Sequence, residues 1–169
     1  MGKVMKAFLL TTLFLFIFFC TKAQVKAGLT DGVAYTPLQI LLIDSIVTSE
    51  PSKELRDSID ITGDGLADVR FEATLANYID FSGAVASIQS LNNSVQIMGE
   101  ENLAIHLETG VPILADSSWG NSGILTADFY GFGGPTQYGQ WLTDTLGYAG
   151  FRILQPNDTL YGWIEIYAA

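Results

Sequence analysis

The sequence is poor in cysteine, histidine and positive charge, and each shortage removes a class of function. Of 169 residues one is cysteine, Cys20, and one is histidine, His106. Cys20 falls inside the leader described below, so the processed chain carries no thiol. That excludes disulfides, thiol nucleophiles and zinc–thiolate sites. A single histidine excludes metal sites of the H-E-x-x-H kind. Lys and Arg number 8 against 18 Asp and Glu, for a formal net charge of −10. Such a chain has no basic face for nucleic acid or an anionic membrane. No phosphate-cradling Gly-rich loop, dinucleotide fingerprint or G-x-S-x-G elbow is present.

Apolar runs are short as well. Ala7 to Cys20 (AFLLTTLFLFIFFC) falls below the roughly 20 residues that a membrane-spanning helix needs. With Lys3 and Lys6 before it and Thr21-Lys22-Ala23 after it, the run reads as a secretory signal peptide, residues 1–23, cut after Ala23. A lipoprotein cysteine at Cys20 is the weaker reading, because bulky Phe19 precedes it. An uncleaved anchor would need a longer run. Loss of Lys3, Lys6 and Lys22 takes the net charge from −10 to −13. The expected location is secreted, periplasmic or at the cell surface, with no membrane insertion after cleavage.

Residues 24–169 read as one all-β domain. Leu38 to Val47 is apolar and β-branched. Val69 to Leu75 alternates, with Val69, Phe71 and Ala73 on one face and Arg70, Glu72 and Thr74 on the other. Ala84 to Ser90 and Val95 to Met98 flank an Asn92-Asn93 turn, and Asn102 to Glu108 alternates again. Gly123 to Tyr130 precedes a turn of Gly131, Gly133, Gly134 and Pro135. Tyr148 to Leu154 and Leu160 to Tyr167 form an antiparallel hairpin about Gln155–Thr159. In that hairpin Gly150 and Gly162 make room for large neighbours, Phe151, Ile164 and Ile166 enter the core, and Arg152 pairs with Glu165. Many short strands predict an antiparallel β-sandwich of jelly-roll type. Residues 24–34 read as a loose lead-in.

The sharpest motif is an acidic loop, Asp60-Ile61-Thr62-Gly63-Asp64-Gly65-Leu66-Ala67-Asp68. Oxygen-bearing side chains stand at positions 1, 3, 5 and 9, with glycine at 6, as in the early part of a calcium loop. Asp60, Thr62, Asp64 and Asp68, with the Leu66 carbonyl, are the candidate calcium ligands. Phe71 stands where an EF-hand has glutamate, and strands flank the loop. The loop looks like the D-x-x-G-D-G-x-x-D loops of integrin-type and other extracellular β-proteins. The plain alternative is an Asp-Gly turn without an ion.

Four segments together resemble a largely uncharacterised family of bacterial exported β-sandwich proteins, many with C-terminal sorting or anchoring tails. They are Asp57 to Phe71 (DSIDITGDGLADVRF), Ala86 to Val95 (ASIQSLNNSV), Tyr148 to Arg152 (YAGFR) and Tyr161 to Glu165 (YGWIE). The resemblance implies a secreted or surface location and an acidic loop in a β-sandwich. It implies no activity and no catalytic residue.

The expected function is structural or adhesive at the cell exterior, in a domain stabilised by calcium at Asp60–Asp68, with an extracellular glycan or protein as partner. The alternative is a carbohydrate-binding module using Trp119, Trp141, Tyr130 and Tyr138, whose rings fall near predicted loops. Catalysis is not expected. His106 reads as an exposed strand residue beside Glu108, and no nucleophile is spaced to serve it. A glycoside hydrolase needs only two carboxylates, but no E-x-D-x-x-E arrangement is present.

Overall fold

The computed structural model describes residues 24–30, 52–78, 81–131, 133–141 and 145–168. The expected leader, residues 1–23, and the expected strand Leu38 to Val47 lie outside the described residues. Ten strands and no helix make up the described chain: β1 (Ser52–Ile59), β2 (Val69–Tyr78), β3 (Phe81–Ser90), β4 (Val95–Glu100), β5 (Leu103–Ala104), β6 (Trp119–Gly120), β7 (Ser122–Gly131), β8 (Gly134–Gly139), β9 (Thr145–Leu154) and β10 (Thr159–Ala168).

They form a mixed sheet curled into a half-barrel, in the order β1-β2-β3-β7-β5-β4-β9-β10. β6 adds to β4, and β8 adds to β7. Every pairing is antiparallel except the two-residue β5 against β7, which is parallel. The expectation of a wholly antiparallel sheet fails there. β5 leaves the β4 hairpin and meets β7 through a single register pair, Leu103 opposite Ile124.

Strand alternation decides which side chains are inside. Val69 and Phe71 are buried on β2, while Arg70 and Glu72 point to the charged face. There Arg56 pairs with Glu54 and Glu72, and Arg70 Nη2 donates to Gln89 Oε1 at 2.6 Å. The main core joins Ile59, Val69, Phe71 and Ile88 from β1–β3 with Val95 and Ile97 of β4, Leu125 of β7, Ala149 of β9 and Trp141. Phe151, Ile164 and Ile166 pack against it, as the sequence suggests. The fully buried aliphatic side chains, such as Val69, Ile88 and Val95, contribute about 1.5–3 kcal/mol each on burial. At Gly162 a Cβ would run into the Phe151 ring, so glycine lets that ring cross the hairpin.

A second core cluster holds Ala27, Met98, Leu107, Ile113 and Tyr148, with Trp119, Tyr161 and Trp163 against it. Residues 24–30 are therefore no loose lead-in, and residues 31–34 of that expected stretch lie outside the described residues. Ala27 has no exposed surface, its N–H donates to the Val111 carbonyl at 2.9 Å, and Ile113 N–H donates to the Val25 carbonyl at 3.0 Å.

Two further expectations change. The β9–β10 register sets Arg152 opposite Tyr161 and Glu165 opposite Tyr148, so those two charges are not cross-strand partners. Arg152 Nε donates to Gln96 Oε1 at 2.7 Å instead, and its guanidinium lies over Trp119, 4.7 Å from the ring centroid. Asn102 to Glu108 is not one strand either. The chain pairs at Leu103–Ala104, leaves the ladder, and returns as a lone bridge from Leu107 to Tyr148. The alternation read from the sequence breaks at that point. His106 is half-buried rather than exposed, and its ring meets Trp141 edge-on at 4.7 Å.

Candidate functional site: the acidic loop and the aromatic positions

The acidic loop joins β1 to β2 directly after the last register pair, Ile59 opposite Val69. Its shape comes from carboxylates accepting backbone N–H groups. Gly63 and Gly65 adopt φ of 76° and 87°, in the left-handed region where a Cβ is unfavourable. That bend carries the N–H groups of both glycines onto Asp60. Gly65 N donates to Oδ2 at 2.7 Å, Gly63 N to Oδ1 at 2.6 Å, and the Thr62 hydroxyl to Oδ1 at 3.3 Å. The Gly65 N–H, helped by those of Gly63 and Asp64, holds the Asp60 carboxyl below its usual range. Asp64 Oδ1 accepts the Leu66 N–H at 2.8 Å, and the Leu66 side chain projects into solvent.

Asp68 sits apart from these exposed residues. It is 1% exposed, the largest buried polar side chain among the described residues. Its Oδ2 accepts Ile61 N–H at 2.9 Å and Thr62 N–H at 2.8 Å, and its Oδ1 accepts the Asn92 side-chain amide. Its own N–H donates to the Ile59 carbonyl at 2.8 Å, and its carbonyl accepts Leu91 N–H at 2.7 Å. One residue thus ties the loop to the end of β1 and to the β3–β4 turn. Asn92 completes the link. Its Oδ1 accepts Ser94 N–H and Val95 N–H, both at 3.0 Å, and the Ser94 hydroxyl at 2.7 Å. A carboxylate only accepts, so the Asn92 amide nitrogen must face Asp68.

A calcium ion takes about six to eight oxygens, and a carboxylate offers about four lone-pair positions. Asp60 already meets the N–H groups of Gly63, Asp64 and Gly65 and the Thr62 hydroxyl. Asp68 meets three donors and is closed from solvent. By the same count Asp68 keeps one position and Asp64 three, and the Thr62 hydroxyl and the Leu66 carbonyl add further oxygens. Among the described residues, no group of three or more His, Cys, Asp or Glu side chains is placed to hold a metal ion. The five residues named from the sequence, Asp60, Thr62, Asp64, Leu66 and Asp68, share this loop, with Asp68 buried and the other four at least partly open to solvent.

The four aromatic candidates occupy different surroundings. Trp141 has no exposed surface and lies in the main core against His106, so it offers nothing to a surface ligand. Tyr130 and Tyr138 are about half exposed on the β7–β8 hairpin, where Tyr138 meets Phe129 with ring centroids 6.1 Å apart. Trp119 is half-buried on β6, between the Arg152 guanidinium and Tyr161. His106 Nε2 and the indole N–H groups of Trp119 and Trp141 are buried without a hydrogen-bond partner among the described residues.

Sequence reasoning missed Asn92 as the partner of Asp68 and Trp119 as the support of Arg152. Asn92 stood in a predicted turn, but no spacing rule connects residues 24 apart in sequence. Comparison with known protein families, curated proteins and solved structures found no match to this chain. The resemblance of the four segments therefore rests on sequence alone.

Proposed function

We propose that this is an exported protein with a structural or adhesive role at the cell exterior, and that its acidic loop is a self-held structural clasp. The observation that carries this reading is Asp68, whose N–H, carbonyl and carboxylate bind two separate stretches of chain, Ile59 to Thr62 and Leu91 to Asn92, at one end of the sheet. Such a clasp stiffens a domain that has no cysteine after its leader. The leader-like residues 1–23 and the four family-like segments support the location. In the same reading the curled sheet works as a jelly-roll-type sandwich. Its support is the main core, which joins β1–β3 on one flank to β4, β9 and β10 on the other.

Calcium is the competing account of the loop, and the two differ in what they require. An ion-held loop aims several oxygens at one point, whereas a clasp is held by N–H donors alone. The hydrogen bonds of Asp60 and Asp68 favour the clasp. The role is tested by protease shaving and antibody labelling of intact cells, together with attachment of a deletion strain to surfaces. Labelling of intact cells and weakened attachment are expected. Recovery of the protein only from the cytoplasm, or unchanged attachment, would overturn the reading.

A further inference from the structure

β1 stands at one end of the sheet order. β2 pairs with one side of it, and among the described residues no strand pairs with the other. Such an edge presents a row of backbone N–H and C=O groups, a template for another strand. Proteins guard edges with charge, and β1 is charged: Lys53, Glu54, Arg56 and Asp57 lie on it. Those four charges cancel, in a chain of formal net charge −10. Cations gather at this edge. Of the basic residues after residue 23, which are Lys26, Lys53, Arg56, Arg70 and Arg152, three lie on β1 and β2.

The signs are also arranged symmetrically. About Leu55, Glu54 mirrors Arg56 and Lys53 mirrors Asp57, with Ser52 and Ser58 beyond them. Consider β1 paired antiparallel with β1 of a second copy, on a two-fold axis at Leu55. Leu55 then stands opposite Leu55, and each charge stands opposite its complement. Directly opposed unlike charges stabilise a strand pair, and like charges destabilise it. The two-fold axis keeps each face of the sheet on one side, so the register can slip only by two residues at a time. One slip sets Glu54 opposite Glu54, and the reverse slip sets Arg56 opposite Arg56. The same charges thus admit one register and repel its neighbours.

Contacts within the protomer leave room for this pairing. Arg56 meets Glu54 along its own strand, and its Nε donates to Glu72 Oε2 at 3.1 Å, across the register from β1 to β2. Glu54 and Arg56 are both exposed, and a guanidinium has five N–H donors. Arg56 can therefore keep Glu72 while it meets the second copy's Glu54, giving a row of carboxylate, guanidinium and carboxylate across the joined strands. We infer that β1 is a self-association edge, at which two copies pair antiparallel about Leu55 and join their sheets into one. The inference is independent of the protein's location and of the acidic loop.

The test is the solution mass of the purified exported protein over a concentration series, by sedimentation equilibrium. The wild type is expected to reach twice the mass of one chain. Glu54→Arg and Arg56→Glu should each weaken self-association tenfold or more, because each sets like charges opposite one another. An equimolar mixture of the two variants should dimerise again, since positions 54 and 56 then oppose with unlike sign at both contacts. That recovery separates lost pairing from lost folding. The register is read with Leu55→Cys, in a processed chain that has no other thiol. Opposed Cα atoms in an antiparallel pair lie about 4.5–5.5 Å apart, within disulfide range. Mild oxidation should link Leu55→Cys into a covalent dimer and leave Ser58→Cys unlinked. A wild type that stays monomeric throughout, a dimer indifferent to both charge reversals, a mixture that fails to dimerise, or Ser58→Cys linking as readily as Leu55→Cys would overturn the inference.

Discussion

The acidic loop begins and ends with the same residue type, and the two aspartates do different work. Asp60 is exposed and bends the loop around itself, using N–H groups that the loop supplies within five residues. Asp68 is closed from water and reaches outside the loop, to Asn92 of the next turn. Chain context decides the difference. Asp60 follows the last paired residue of β1 into solvent, whereas Asp68 immediately precedes Val69, which has no exposed surface. Unpaired charge in such a place is costly, so the buried aspartate is surrounded by donors. The loop thus divides into an outer bend around Asp60 and an inner anchor at Asp68.

The sharpest way to break this comparison is Asp68→Ala. It strands the Ile61 and Thr62 N–H groups and the Asn92 amide, and should cost about 3 kcal/mol in denaturant unfolding. Asn92→Ala should be destabilising too, and the double variant should fall short of the sum because the two share one network. Additive losses would mean that the two residues act separately. At the outer bend the effects are smaller. Gly65→Ala puts a Cβ on a φ of 87° with nothing within 4 Å to collide with, so its cost is backbone strain alone, about 1 kcal/mol. The smallest effect is a pH dependence at Asp60. Its folded-state pKa is lowered, so its contribution is present above the unfolded value and is lost as pH falls through the folded one, below about 4. Asp60→Asn should flatten that acid limb of the melting profile.

Local pattern revealed much of the fold. The alternation of β2, the β9–β10 hairpin and the Asn92 turn were legible because strand period and turn chemistry are properties of neighbouring residues. β6 and β8 were not. β6 is two residues long, and Gly134 and Pro135 at the opening of β8 give it the composition of a turn. The Arg152–Glu165 pair failed because hairpin register depends on where the turn closes, and here Leu154 stands opposite Thr159. At the site, carboxylate spacing identified the loop but not its donors. Backbone N–H groups are absent from a side-chain pattern, and the Asn92 contact spans the β3–β4 connection.

The most direct measurement is amide hydrogen exchange of Ile61 and Thr62 in the wild-type protein, with chelator and then with added calcium. The clasp predicts that both amides are protected in chelator and that calcium leaves their rates unchanged. Exchange at the rate of exposed amides in chelator, slowing only when calcium is added, would contradict it and return the loop to the ion.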